Sequence, residues 1–178
     1  MNASCAHRKY KSFAISKIFR NSLLMSQTSP KSPPRLSEFL PYRLSITSNA
    51  VSNRIAVEYR ARFGVNVPEW RVMAVLGDVG ALTQRQLVSA TFMDKVAVHR
   101  ACKVLVDRGL LERSPNDNDG RSHMLELTAA GREMHGQIMP LALGMEDRLL
   151  ECLTPAEQRN LRKILDKLFA QVRDSDIS

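Results

Sequence analysis

LTQRQLVSATFMDKVAVHRACKVLVDRGLLERSPNDNDGRSHMLEL, residues 82–127, holds the strongest local signals in the chain. Thr83 is a good N-cap and Gln86 sits three residues on, so the two can form a capping box, with Leu82 and Leu87 at the staple positions around it. This predicts a short helix from Thr83 to about Ala90. Asp94 is the next N-cap, with Met93 and Val98 as its staple. The helix that follows carries Val98, Cys102 and Leu105 at i, i+4 and i+7, one apolar stripe. It stops at Gly109, a left-handed C′ residue, with Leu110 placed to touch Leu105 as in a Schellman ending. Two helices so spaced, the second amphipathic, suggest a helix-turn-helix.

The polar side of the second helix is cationic. Lys95, His99 and Lys103 follow i, i+4, i+8, Arg100 lies beside them, and acids are scarce before Asp107. A helix with such a face can enter the DNA major groove, where its N-terminal half reaches base edges. Arg100 can donate two bonds to guanine, and Val96 and Ala97 can meet thymine methyl groups. The same pattern also describes a solvated basic face on an ordinary packed helix.

Residues 110–114 then read as a strand and residues 124–127 as its partner, joined by SPNDNDGRSH with Asp119-Gly120 and Arg121 at its tip. A strand pair after such a helix is a wing, and an arginine at its tip can reach the minor groove or its phosphates. Asp119 can hold Arg121 by an ion pair; the plainer alternative is a surface hairpin with a solvated arginine. The fold class is therefore mainly α with a small two-stranded β-wing. The candidate DNA-binding set is Thr83, Gln84, Lys95, Ala97, His99, Arg100, Lys103, Asp119 and Arg121.

MDKVAVHRACKVLVDRGLLERSPNDNDGRSHMLELTAAGRE resembles the winged helix of the MarR (multiple antibiotic resistance regulator) family. The markers are the Asp-Lys start of the second helix, the Arg-Gly-Leu-Leu-Glu-Arg exit, the Asp-x-Arg wing motif and the Leu-Thr-x-x-Gly-Arg entry into the next helix. Each is weak alone; in this order and spacing they are specific. The similarity extends over about residues 36–172, and FLPYRLS…EWRVMAVLG is again similar to the family. One position departs from it: many members carry a small hydroxyl residue where this chain has His99.

The chain has 178 residues, 44% of them apolar, and a formal charge of +8. Residues 1–24 hold Arg8, Lys9, Lys11, Lys17 and Arg20 and no acid, so the remainder is only +3. The case for DNA rests on where the charges sit rather than on their sum. No run reaches the length of apolar sequence a membrane span needs. Cys5, Cys102 and Cys152 are an odd number without CxxC spacing, which argues against a disulfide framework or a zinc site. Cys102 and Cys152 fall on apolar helix faces and are expected to act as small hydrophobes; a redox-sensing regulator using a cysteine is the alternative. His7, His99, His123 and His135 show no metal-ligand spacing, so neither metal nor cofactor is expected.

Residues 1–35 read as a basic, disordered tail with the breaker run Ser29-Pro30-Lys31-Ser32-Pro33-Pro34, and Met25 is an alternative start. Residues 36–63 read as a long helix ending at Gly64, followed by a helix with Pro68 at its first position that runs to Gly80. After the wing, Thr128 caps a helix that runs, with a kink near Pro140, to about Cys152. Thr154-Pro155-Ala156-Glu157 caps a last helix striped by Leu161, Ile164, Leu165, Leu168 and Val172, ending near Arg173. These stripes can pack on the protomer's own core.

The resemblance implies more. It makes residues 36–174 a single domain, with the winged helix at about 68–128 flanked by dimerisation helices at about 36–63 and 128–174. It implies a homodimer on a pseudo-palindromic double-stranded operator, in the bacterial cytoplasm, usually as a repressor. It also implies relief by a small aromatic, phenolic or carboxylate effector, for which Arg43, Arg54, Trp70 and Arg71 supply cations and an aromatic wall; Trp70 equally suits a structural place in the core. An enzyme is disfavoured, because there is no nucleophile elbow, phosphate-cradling glycine loop, metal cluster or paired carboxylate. A winged-helix protein-interaction module is the other competing class.

Overall fold

The computed structural model describes residues 35–117 and 119–174. The tail and its alternative start therefore lie outside the described residues. The chain falls into two compact units, Met1–Ala50 and Val51–Ser178.

In the first unit a 3-10 turn, Leu36–Glu38, precedes α1, Leu40–Phe63, whose later part belongs to the second unit. The long helix expected from residue 36 is thus split. Pro41 explains the split: it has no N–H to give the Ser37 carbonyl, and its ring would clash there, so a helix can begin at Leu40 but cannot run through. Leu36, Phe39, Leu40 and Leu44 of this unit are exposed.

In the second unit α2, Val67–Val79, begins behind a capping box in which the Asn66 N–H donates to Glu69 Oε2 at 2.8 Å. Pro68 sits in its first turn, where a missing donor costs nothing. Next come β1, Leu82–Thr83; α3, Gln84–Thr91; α4, Lys95–Asp107; β2, Leu111–Pro115; β3, His123–Leu127; α5, Ala129–Leu150; and α6, Pro155–Asp174. The two strands expected for the wing pair as β2 and β3, and a third strand, β1, joins them on the far side of β3. The sheet order is β1-β3-β2, all antiparallel, with Leu82 opposite Leu125 and Leu111 opposite Leu127. A two-residue strand is too short to show a period, so β1 left no mark in the pattern.

The core gathers under the winged helix: Tyr59, Val65, Val72, Met73, Leu87, Val98, Cys102, Leu105, Leu127 and Ile138 are fully buried. The stripe Val98, Cys102 and Leu105 is part of it, joined by Ala101. α6 contributes no buried residue, and its Leu161, Ile164, Leu165, Leu168, Phe169 and Val172 are all exposed. Its stripe does not pack on the protomer's own core. Among the described residues no helix is long and apolar enough to cross a membrane.

The two cysteines of the second unit part company. Cys102 is buried, and burial pushes its thiol from the ordinary 9.0 to about 11. Cys152 is exposed, because α5 stops at Leu150 and leaves it on the following turn rather than on an apolar helix face. In a Cys5→Ser background, a thiol reagent should modify Cys152 quickly and Cys102 only on unfolding. Cys102→Ser should cost about 1–3 kcal/mol in a urea melt, the penalty of a hydroxyl in an apolar site. Because the folded thiol titrates above the unfolded one, its contribution to stability is complete below pH 9.0 and is lost as pH rises through about 11.

Candidate nucleic-acid interface

Local chemistry fixes the helix pair. Thr83 Oγ1 accepts the Gln86 N–H at 3.2 Å while the Thr83 N–H donates to Gln86 Oε1 at 2.8 Å, which starts α3. Asp94 Oδ1 accepts the Ala97 N–H at 2.9 Å and starts α4. α4 ends as a full Schellman motif: the Leu110 N–H reaches Leu105 O and the Gly109 N–H reaches Val106 O, both at 2.9 Å, with Gly109 at φ 68°. The capping residue Arg108 turns back and donates to Gly64 O at 3.0 Å and Phe63 O at 2.7 Å, satisfying the open carbonyls at the end of α1.

With Val98, Ala101, Cys102 and Leu105 buried, α4 turns Lys95, Val96, His99, Arg100 and Lys103 outward. Ala97 is half-buried at the edge of that face. Lys103 is tied to Asp107 on its own helix at 2.7 Å, an exposed i, i+4 pair of small energetic weight. The side chain of Gln84 reaches across from α3, its Nε2 lying 3.5 Å from His99 Nδ1.

The wing tip is tied by its own hydrogen bonds. Asn116 Nδ2 donates to Ser122 Oγ at 2.7 Å, and the Ser122 N–H donates to Asp119 O at 2.9 Å. Asp119 does not meet Arg121 as an ion pair. Its Oδ1 accepts the Arg121 backbone N–H at 3.0 Å, an Asx-type turn that fixes the backbone of the tip and leaves the guanidinium exposed.

Between α3, the start of α4 and the wing lies an open cleft of about 690 Å³ that joins several of these residues. Thr83, Gln84, Lys95, Asp119 and Arg121 line it, and so do two cations absent from the expected set, Arg85 and Arg113. The alternation of the wing explains Arg113. The register places Leu111 with Leu127, Arg113 with Leu125 and Pro115 with His123, so the face that is apolar at the core becomes cationic further out. Arg85 could have been found beside Gln84, in the first turn of α3. Arg85, Lys95, Arg100, Arg113 and Arg121 take part in none of the ion pairs among the described residues, which join Arg62 to Glu58, Lys103 to Asp107, Arg132 to Glu126 and Arg162 to Glu146. Cations outside these ion pairs thus stand on the outer face of α4, in the cleft beside Asp119 and at the wing tip, an arrangement suited to a polyanion.

The expected effector residues are less united. Trp70 is half-buried, its ring 5.8 Å from that of Tyr59 and stacked on His135 at 5.5 Å. Arg71 donates to Ser52 Oγ at 3.2 Å, and Arg54 is exposed. Arg43 is exposed on the first unit.

The MarR family model matches residues 63–122. An HTH-type transcriptional repressor of Mycobacterium tuberculosis is 27% identical over 105 residues, 59% of this chain and 76% of that protein. The multiple antibiotic resistance protein MarR of Escherichia coli is 27% identical over 135 residues, 75% of this chain and 94% of that protein. A mutant of the E. coli protein, solved in complex with operator DNA, aligns at a TM-score of 0.67 and 26% identity, covering 76% of this chain and 99% of that one. BpsR of Bordetella bronchiseptica, whose DNA binding is regulated by 6-hydroxynicotinic acid, shares the fold at a TM-score of 0.69 and 24% identity, covering 82% of this chain and all of that one.

Proposed function

Because this chain belongs to the MarR family of winged-helix transcriptional regulators, we propose that it is a repressor that binds a pseudo-palindromic operator as a homodimer. The cations outside ion pairs on α4, in the cleft and at the wing tip carry this reading. α4 enters the major groove with Lys95, Ala97, His99 and Arg100. Thr83, Gln84, Arg85 and Arg113 face the backbone beside it, and Arg121 reaches into the neighbouring minor groove. Lys103 exchanges its exposed pair with Asp107 for a phosphate at little cost. The uncovered stripe of α6 supports the dimer: five aliphatic side chains and Phe169 exposed along one helix are what a second copy would bury.

The effector arm is placed beside Trp70, with Arg71 and Arg54 as counter-charges to a carboxylate. Arg43 stays a candidate on the first unit. A compound that prefers the DNA-incompetent arrangement lowers operator affinity by its differential affinity for the two states. The regulation of BpsR by an aromatic acid makes this chemical class the first to try.

Anisotropy titrations with DNA from upstream of the protein's own gene, at two salt concentrations, test the reading. Tight binding that weakens steeply with salt is expected, and a panel of aromatic acids should weaken it further. Binding no tighter than to random DNA across the flanking region, at either salt, would sink it.

A further inference from the structure

We infer that Val96 reads a thymine of the operator through the methyl group of that base. This rests on the DNA-binding reading above and names a base that the reading leaves open. α4 carries two lines of side chains spaced i, i+4 and i+7. Val98, Cys102 and Leu105 form one line and are fully buried. Val96, Arg100 and Lys103 form the other, each two residues earlier, and all three are exposed. Two residues turn an α-helix by about 200°, so the second line is the crest of α4, opposite the core. Val96 stands on that crest in the first turn of the helix and is 56% exposed. Ala97, about 100° round from it, is half-buried at the side and reaches less far.

The N-terminal residues of a recognition helix are those that meet base edges in the major groove. On this crest the residue nearest the N-terminus is an isopropyl group, which can neither donate nor accept a hydrogen bond. Set against the N7 or O6 of a purine, or the amino group of cytosine, it takes water from a polar atom and returns no bond. Thymine is the one base of the four with a methyl group on its major-groove edge. Contact between that methyl and Val96 removes apolar surface from water on both sides, including a side chain that folding leaves in solvent. The selection comes from the methyl group itself, which no other standard base carries.

In vitro selection from randomised duplexes, carried out with the full chain, separates the layers. Recovery of a palindromic consensus by the wild type establishes DNA reading; no enrichment at all would overturn that reading, and this inference with it. Given a consensus, deoxyuridine is put in place of each thymine in turn, which removes the methyl group and leaves the base pair. At one thymine per half-site this should weaken wild-type binding about 2- to 5-fold, the weight of one methyl group taken out of water. The same exchange should leave Val96→Ala unaffected. With cytosine at that position, 5-methylcytosine should restore about the same factor to the wild type and nothing to Val96→Ala. The variant should fold as well as the wild type, since alanine is the better helix former at an exposed position, and a thermal melt checks this. Wild-type binding indifferent to methyl removal at every thymine would overturn the inference. An equal loss in the wild type and in Val96→Ala would overturn the assignment to Val96.

Discussion

Gly131→Ala lowers the stability of the fold by about 3 kcal/mol or more, the cost of forcing a methyl group into a site with no room. In an ordinary helix the exchange would go the other way, since alanine is favoured over glycine by about 1 kcal/mol. The reversal comes from the backbone it faces. A Cβ on Gly131 would stand 2.1 Å from Leu110 O and 3.1 Å from both Leu110 C and Leu127 Cδ2. The Leu110 carbonyl cannot retreat. It accepts the Thr128 N–H at 3.1 Å and follows directly on the left-handed turn at Gly109. The Thr128 hydroxyl holds both sides together, donating to Gly109 O at 2.7 Å and accepting the Gly131 N–H at 3.0 Å. Arg132 adds a bond to Leu127 O at 2.6 Å. The Leu-Thr-x-x-Gly-Arg sequence is thus a knot where α4, β3 and α5 meet. Denaturant melts of Gly131→Ala and of Gly136→Ala in the same helix check this. Nothing lies within 4 Å of a Cβ at Gly136, so that variant should gain up to about 1 kcal/mol. Equal and small effects at the two positions would refute the knot.

The second large effect is on binding. Arg121→Ala should reduce operator affinity by about 1.5–3 kcal/mol per wing, roughly 10- to 100-fold, the worth of a charge-assisted hydrogen bond. The fold should be untouched, because the tip is held by backbone bonds from Asp119 that do not involve the guanidinium. The cause of the weakening is readable from salt. If Arg121 neutralises phosphates, the slope of log affinity against log salt should become shallower by about one for each phosphate left without its arginine. Titration at three salt concentrations beside a thermal melt measures both. Unchanged affinity with an unchanged slope would mean that the wing does not touch DNA.

Much of the fold was legible in the sequence wherever one residue type answers one geometric demand. Thr83 with Gln86, Asp94, Gly109 with Leu110, and Thr154 with Glu157 each marked a helix end by the hydrogen bond it must make, and those bonds are present. Signals that depend on partners distant in sequence were hidden. Asp119 and Arg121 two residues apart suit an ion pair and an Asx turn equally, and only the backbone conformation chooses. Gly131 stands in the sequence only as part of the Leu-Thr-x-x-Gly-Arg helix entry, although its constraint is the carbonyl of a residue twenty-one positions earlier. Arg113 could be assigned to the cleft only once the pairing register fixed which way each strand residue points. Pro41 was a local signal that the apolar periodicity around it overrode.

The placing of β2 has a bearing on how the protein behaves when crowded. β2 is an outer strand of the sheet, with one side of its backbone unpaired, and such strands recruit strands from neighbouring molecules. This one is five residues long, carries Glu112 and Arg113, exposed and of opposite sign, and ends in Pro115, which has no N–H to donate. A second copy trying to extend the sheet would have to bury two charges and pair against a missing donor. The wing can stand out from the body for its work without seeding aggregation.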